Sequence, residues 1–266
     1  MLSKKALVGV LAAAIGLIGA VSAEQIAFLP PTNSSRLDTE ECLSCTSCSN
    51  DACNTNTPGG LLLLTQFWDY SPPIGPSDSW TIHGLWPDFC NGKWVGDCDK
   101  SRVNNRIASI LNDAGATDVL DTMNQYWLAL DGNDQRLWSH EWNKHGTCVS
   151  TLRPTCYENY TQDQDVVDFF STTVGLFEIY NIHQALAEAD ITPSSSQTYS
   201  LQQILDATEA KFGKAATFKC RGSNLNEAWI YFHTVGRSTD PSAFRITDPL
   251  TENNRCPSTG IRYPPK

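Results

Sequence analysis

Trp138-Ser139-His140-Glu141-Trp142-Asn143-Lys144-His145-Gly146-Thr147-Cys148 is the stretch on which the reading of this chain turns. Its order His-Glu-x-x-Lys-His invites comparison with the helical zinc motif HExxH, but the register differs. Zinc-binding histidines on a helix lie four residues apart, about 40° around the axis, whereas His140 and His145 are five apart, about 140° at 3.6 residues per turn. In a continuous helix from His140 to Val149, the pairs that share a face are His140 with Lys144 and Glu141 with His145. Such a helix gathers imidazole, ammonium and carboxylate groups within two turns.

A second segment, Ser79-Trp80-Thr81-Ile82-His83-Gly84-Leu85-Trp86-Pro87-Asp88, reads as a strand carrying another histidine. The two segments hold three of the five histidines in the chain. Together they suit phosphoryl chemistry without a metal: one imidazole removes a proton, another donates one, and Lys with a third imidazole neutralises a pentacoordinate phosphate. Imidazole near its unperturbed pKa can take either role. His183 and His233 lie outside both segments and read as structural, as do Trp80, Trp138 and Trp142.

Ile82-His83-Gly84-Leu85-Trp86-Pro87 and His140-Glu141-Trp142-Asn143-Lys144-His145-Gly146-Thr147-Cys148 resemble the two active-site segments of the ribonuclease T2 family of secreted, acidic endoribonucleases, most closely its fungal members. The resemblance extends from about Cys42 to Cys256. It implies that His145 is the general base on the ribose 2′-hydroxyl and His83 the general acid on the leaving 5′-oxygen. His140 would hold the phosphate, with Glu141 and Lys144 polarising it or stabilising its developing charge. It further implies single-stranded RNA as substrate, a 2′,3′-cyclic phosphate hydrolysed to a 3′-phosphate, no metal or other cofactor, and no cleavage of DNA, which lacks the 2′-hydroxyl. Trp86 and Asp88, with Trp94, would form a first base pocket of low specificity, and Gln66 would line a second, where Leu137 replaces an aromatic. The resemblance pairs Cys98 with Cys148 and Cys220 with Cys256, and sends Cys90 and Cys156 back to the cluster Cys42, Cys45, Cys48 and Cys53, whose remaining two cysteines pair together. A noncatalytic RNA-binding or effector protein on the same scaffold is the alternative.

Composition agrees with export. Lys4 and Lys5 precede an apolar run from Ala6 to Val21, and Val21-Ser22-Ala23 supplies small residues for signal-peptidase cleavage, so residues 1–23 are expected to be a signal peptide. Residues 24–41 then form an extension and 42–266 a single catalytic domain. All ten cysteines follow the leader, in an oxidising route where five disulfides are the economical count. Cys42-x2-Cys45 has a spacing that zinc sites use, but no matching second pair follows. Asn33 and Asn159 lie in glycosylation sequons. Secretion or vacuolar delivery is expected, without stable membrane association, and the protein is expected to be a monomer. The formal charge is −10, and −12 once Lys4 and Lys5 are removed, which excludes a tight, nonspecific nucleic-acid binder. Acidic pH reduces repulsion of RNA by beginning to neutralise carboxylates, so an acidic activity optimum is expected.

Hydrophobic periodicity completes the outline. Leu61 to Trp68 reads as a buried central strand. Helical spacing follows at Val103, Ile107, Ile110 and Leu111, then at Val119, Leu120, Met123, Trp127 and Leu130, and again over Val166 to Ala189. Ser200-Leu201-Gln202-Gln203 reads as a capping box for a helix to about Phe212. Thr217 to Cys220, Ala228 to Val235 and Phe244 to Ile246 read as further strands. Uneven blocks of strands and helices predict an α+β fold with a mainly antiparallel central sheet.

Overall fold

The computed structural model describes residues 41–46, 51–249 and 254–266. The expected signal peptide, the extension up to residue 40, Asn33 and Cys48 lie outside these residues. The expected α+β architecture is present. Strands β1 (Leu61–Phe67) and β2 (Thr81–Asp88) are followed by helices α1 (Ile107–Asp113), α2 (Thr117–Tyr126), α3 (Asp134–Lys144), α4 (Gln164–Ile179) and α5 (Ile182–Ala187). Then come β3 (Thr198–Tyr199), α6 (Leu201–Phe212), β4 (Thr217–Arg221), β5 (Asn224–Thr234), β6 (Phe244–Thr247) and β7 (Ile261–Arg262). Among the described residues no helix is long and apolar enough to cross a membrane.

The sheet is built around β5. One edge pairs antiparallel with β1, which pairs in turn with β2; the other edge is shared by β4 and β6. A short parallel contact joins β5 to β7. Strand alternation sorts the side chains. Leu62, Leu64, Ala228, Ile230 and Phe232 enter the core beneath the helices, with Trp127, Trp142, Phe169 and Phe170. Leu61, Leu63 and Tyr231 face the other way and carry Trp86 and Trp229. Trp80, Trp138 and Trp142 are buried core residues, as expected.

Four features differ from the periodic reading. Val103 lies outside α1 and is exposed, because a 3₁₀ turn at Lys100–Arg102 precedes the helix. Leu130 lies beyond α2 and is also exposed. The expected single helix over Val166 to Ala189 is two, since Asn181 adopts extended backbone and caps α5 by accepting from the Gln184 N–H at 2.9 Å. The helix carrying the central motif starts earlier and stops sooner than expected: Asn133 caps it, Lys144 is its last residue, and Gly146 to Cys148 form a 3₁₀ turn. Gly146 lies against the Trp142 indole so closely that a Cβ would fall 2.3 Å from the ring. The Ser200 capping box is present as read.

Disulfides Cys45–Cys90, Cys53–Cys156, Cys98–Cys148 and Cys220–Cys256 join the segments as the resemblance implied. Cys42 is disulfide-bonded as well.

Candidate active site

The register between β1 and β2 places the first histidine. Thr65 pairs with Gly84 and Gln66 with Ile82, leaving His83 as an extra residue opposite the Thr65–Gln66 link. A β-bulge of this kind re-aims a side chain. Ile82 and Leu85 both stay in the core, while His83 turns onto the opposite face, stacked on Phe67 with ring centroids 3.9 Å apart. Its Nδ1 lies 2.8 Å from Glu227 Oε1, and its Nε2 lies 3.9 Å from Glu141 Oε1. The Glu227 carboxylate accepts a hydrogen bond only if Nδ1 carries the proton, which assigns the tautomer and leaves Nε2 facing the site.

The early end of α3 brings in the second group. His145 is the C-cap residue, its N–H donating to the Glu141 carbonyl at 3.0 Å. Its ring stacks on Trp86 at 5.0 Å and lies 6.3 Å from the His140 ring. As a result His140, Glu141 and His145 each present a ligand atom, all within 4.8 Å of one another. The separation expected from a continuous helix is thus corrected: leaving α-helical geometry at Lys144 closes the gap between the two imidazoles. These three residues are the group here that could hold a metal ion.

Burial sets the electrostatics. His145 is only 6% exposed, and burial, reinforced by Lys144, His140 and His83, lowers its pKa to about 2. His140, more exposed, is also lowered, first by burial and then by Lys144 and His83. Glu141 is completely buried and its carboxyl is pushed up by that burial, against the pull of His83 and the Trp86 hydrogen bond. Trp86 Nε1 donates to Glu141 Oε2 at 2.8 Å, while Oε1 has no hydrogen-bond partner. Burial raises Glu227, but the hydrogen bond and charge of His83 outweigh it and hold the carboxyl below its usual range.

A cavity of about 230 Å³ is lined by His83, Trp86, Asp88, Trp94, His140, Glu141, Lys144, His145 and Trp229. All five residues assigned to catalysis from sequence meet there. Two larger cavities flank it. One of about 490 Å³ includes Asp88, Phe89, Trp94 and Trp229; Asp88 and Trp94 form an isolated antiparallel bridge, and burial raises Asp88 to a pKa of about 7. The other, of about 780 Å³, includes Phe67, Leu130, Leu137, His83 and His140.

Gln66 does not line either one. It is fully buried, on the core face of β1, and its Nε2 donates to the Tyr180 carbonyl at 2.8 Å. Alternation puts Phe67, not Gln66, on the side of the site, so the assignment of Gln66 to a base pocket is corrected. Glu227 was missed; its signal is a carboxylate in an otherwise largely apolar central strand, where unpaired charge is rare. His183, packed beside Trp68, and His233 on β5 border none of these three cavities. Asn159 is exposed.

Comparison with known proteins agrees with this geometry. The Ribonuclease T2 family model matches residues 59–244. The chain is 47% identical over 216 residues to a ribonuclease T2-like protein of Aspergillus fumigatus, covering 81% of this chain but 53% of that one, so it spans about half that relative's length. Ribonuclease T2 of Aspergillus oryzae is 45% identical over 226 residues, covering 83% of this chain and 81% of the relative. The solved structure of Actibind, a T2 ribonuclease, superposes with a TM-score of 0.81 at 43% identity, covering 85% of this chain and 96% of that one. RNase NT, solved in complex with 5′-AMP, gives 0.57 at 26% identity, covering 77% and 98%. The chain, with both histidine segments folded into one cleft, belongs to the ribonuclease T2 family.

Proposed function

We propose that the protein is an endoribonuclease that cleaves single-stranded RNA without a metal, by transphosphorylation and then hydrolysis. The observation that carries this reading is the pair of dissimilar imidazoles facing one cavity: His145, kept neutral by burial, and His83, held by a carboxylate on Nδ1 with Nε2 free. The buried, neutral ring of His145 suits the base, and the carboxylate-oriented ring of His83 suits the acid. Neutral His145 takes the proton of the 2′-hydroxyl as the 2′-oxygen bonds to phosphorus. The bond from phosphorus to the 5′-oxygen breaks, and His83 gives its proton to that oxygen. His140 and Lys144 offset the charge on the phosphorane, and Glu141, whose carboxyl is pushed up by burial, polarises it. Water then opens the 2′,3′-cyclic phosphate, with His83 as base and His145 as acid, leaving a 3′-phosphate.

The flanking cavities are read as two base sites. Trp86, stacked on His145, packs 5.5 Å from Trp229, which lines the 490 Å³ cavity together with Asp88 and Trp94, so the nucleoside that supplies the 2′-hydroxyl is assigned to that side. Phe67 and His83 border the 780 Å³ side, which takes the nucleoside of the leaving oxygen. Aromatic faces tolerate any base, so specificity is low. The disulfides and the expected leader support a secreted or vacuolar location; the protein is read as a monomer, with Asn33 and Asn159 as glycan acceptors.

The test is cleavage of the sixteen dinucleoside phosphates by the wild type, His83→Phe and His145→Phe. Cyclic phosphate formation by the wild type, insensitive to EDTA and lost in both folded variants, supports the reading. Cleavage at near wild-type rate by either variant overturns the mechanism, and binding of RNA without cleavage by the wild type favours a noncatalytic role.

A further inference from the structure

The 490 Å³ cavity holds more charge than a base pocket needs. Beyond Asp88 and Trp94 it is lined by Lys93, Lys219 and Arg255, three cations on a chain of net charge −10. Other basic residues, Arg102, Arg136, Lys211, Lys214 and Arg245, are spent in ion pairs. Lys93, Lys219 and Arg255 form none among the described residues. Of the acids near them, Glu227, across the ladder from Lys219, is hydrogen-bonded to His83 while still acting on Lys219, and Asp88, raised by burial to a pKa of about 7, loses its charge below neutrality.

Lys219 and Arg255 are held side by side by the main chain. They form an isolated parallel bridge, and the Arg255 N–H donates to the Phe218 carbonyl at 2.9 Å. The next residue on each segment is a cysteine, and Cys220 and Cys256 are disulfide-bonded. A covalent link therefore fixes two like charges next to each other. The Lys219 ammonium sits 3.0 Å from the centroid of the Trp229 indole, and Trp229 lines both this cavity and the catalytic one. Burial lowers the Lys219 pKa, Glu227 opposes it, and Arg255 lowers it further, so an arriving anion relieves part of the cost of burying this cation beside another.

The chain that would reach this place is the substrate itself. The 490 Å³ cavity extends from Asp88 and Trp94, which also line the catalytic cavity, to Lys219 on β4 and Arg255, so a nucleoside seated against Asp88 and Trp94 with its 2′-hydroxyl toward His145 can direct its 5′ side along it. We propose that Lys219 and Arg255, with Lys93 at the rim, form a subsite for the phosphate on the 5′ side of the nucleoside that supplies the 2′-hydroxyl. The subsite rests on the ribonuclease reading and extends it: the protein favours internal linkages of a polynucleotide over the first linkage of a 5′-hydroxyl fragment.

The test compares a dinucleoside phosphate with the same compound bearing a 5′-phosphate, in the wild type and in Lys219→Met/Arg255→Gln, which keeps the side-chain stems. The readout is the ratio of kcat/KM for the two substrates within each protein, which cancels global effects on folding or chemistry. The expected ratio is about 10 in the wild type, the equivalent of roughly 1.4 kcal/mol, and near one in the double variant. Raising the salt concentration lowers the wild-type ratio. A wild-type ratio of one, or a ratio that survives the double substitution, overturns the subsite. Failure of the wild type to cleave either compound overturns the ribonuclease reading instead.

Discussion

Gly84→Ala tests the central contact of the site with a single methyl group. Gly84 is not in the left-handed region, so alanine costs nothing in backbone conformation. A Cβ there would lie 2.0 Å from Glu141 Oε2, 2.8 Å from its Cδ and 2.9 Å from Trp86 Nε1. Restoring ordinary contact requires the carboxylate to move by roughly 1.4 Å. Glu141 has no exposed surface to move into, and the shift breaks its 2.8 Å bond from Trp86. Overpacking costs about 1–3 kcal/mol and the lost hydrogen bond about 0.5–1.5 kcal/mol, so a total of about 3 kcal/mol is expected, or roughly 10 °C in Tm. Displacing a catalytic group by about 1 Å lowers kcat roughly 100-fold. The assay is urea denaturation and cleavage of a dinucleoside phosphate, run as a cycle with Glu141→Ala. Once the carboxylate is gone, only the 2.9 Å approach to Trp86 Nε1 remains, the indole is freed from its bond to Glu141 and can shift, and Gly84→Ala then costs less than about 1 kcal/mol. An equal cost in both backgrounds, or wild-type kcat/KM in the single variant, refutes the contact.

Other perturbations read the electrostatics. Glu227→Gln keeps a hydrogen-bond acceptor for His83 Nδ1 but removes the charge that orients the ring, so kcat falls about 10-fold while KM and Tm change little. An unchanged kcat, or a loss confined to KM, would contradict that role. His145, whose native pKa of about 2 lies below its unfolded value of about 6.5, binds a proton only after unfolding. Its contribution to stability is therefore complete above pH 6.5 and declines as the pH falls; His145→Phe flattens the dependence of Tm on pH between about 3 and 6.5. Because the base stays neutral in acid, kcat/KM persists well below neutrality, and an optimum above pH 7 would count against this. Asp88 changes charge at about pH 7, so the ratio of cleavage rates for two different first bases changes with that midpoint, and Asp88→Asn makes the ratio independent of pH.

What could be read from the sequence was local or carried by a long motif. The apolar run at Leu61, the Ser200 capping box and both histidine segments are contiguous, and the cysteine partners came with the resemblance. What escaped depends on pairings between distant segments. Whether His83 faces the core or the cleft is decided by which residue of β1 it stands opposite, and Gln66 was misplaced for the same reason. Glu227 meets His83 across 144 positions of chain, a distance that no periodicity spans. The end of α3 depends on Gly146 resting against Trp142, a contact made in three dimensions. The break between α4 and α5 was visible in principle, since Asn181 is a good cap, but an uninterrupted apolar stripe outweighed it.

The bulge at His83 makes the catalytic function a matter of counting. Ile82 and Leu85 occupy the same core face although they are three positions apart, and that odd spacing is what frees His83 and Gly84 together for the cleft. In an unbroken ladder only one of those two positions can face outward. A strand shorter by one residue here would therefore keep its apolar packing and its pairing with β1 while leaving no room for the acid. The proposed site and an inert twin of the same fold are separated by one insertion, in a part of the sequence where composition alone would not reveal the difference.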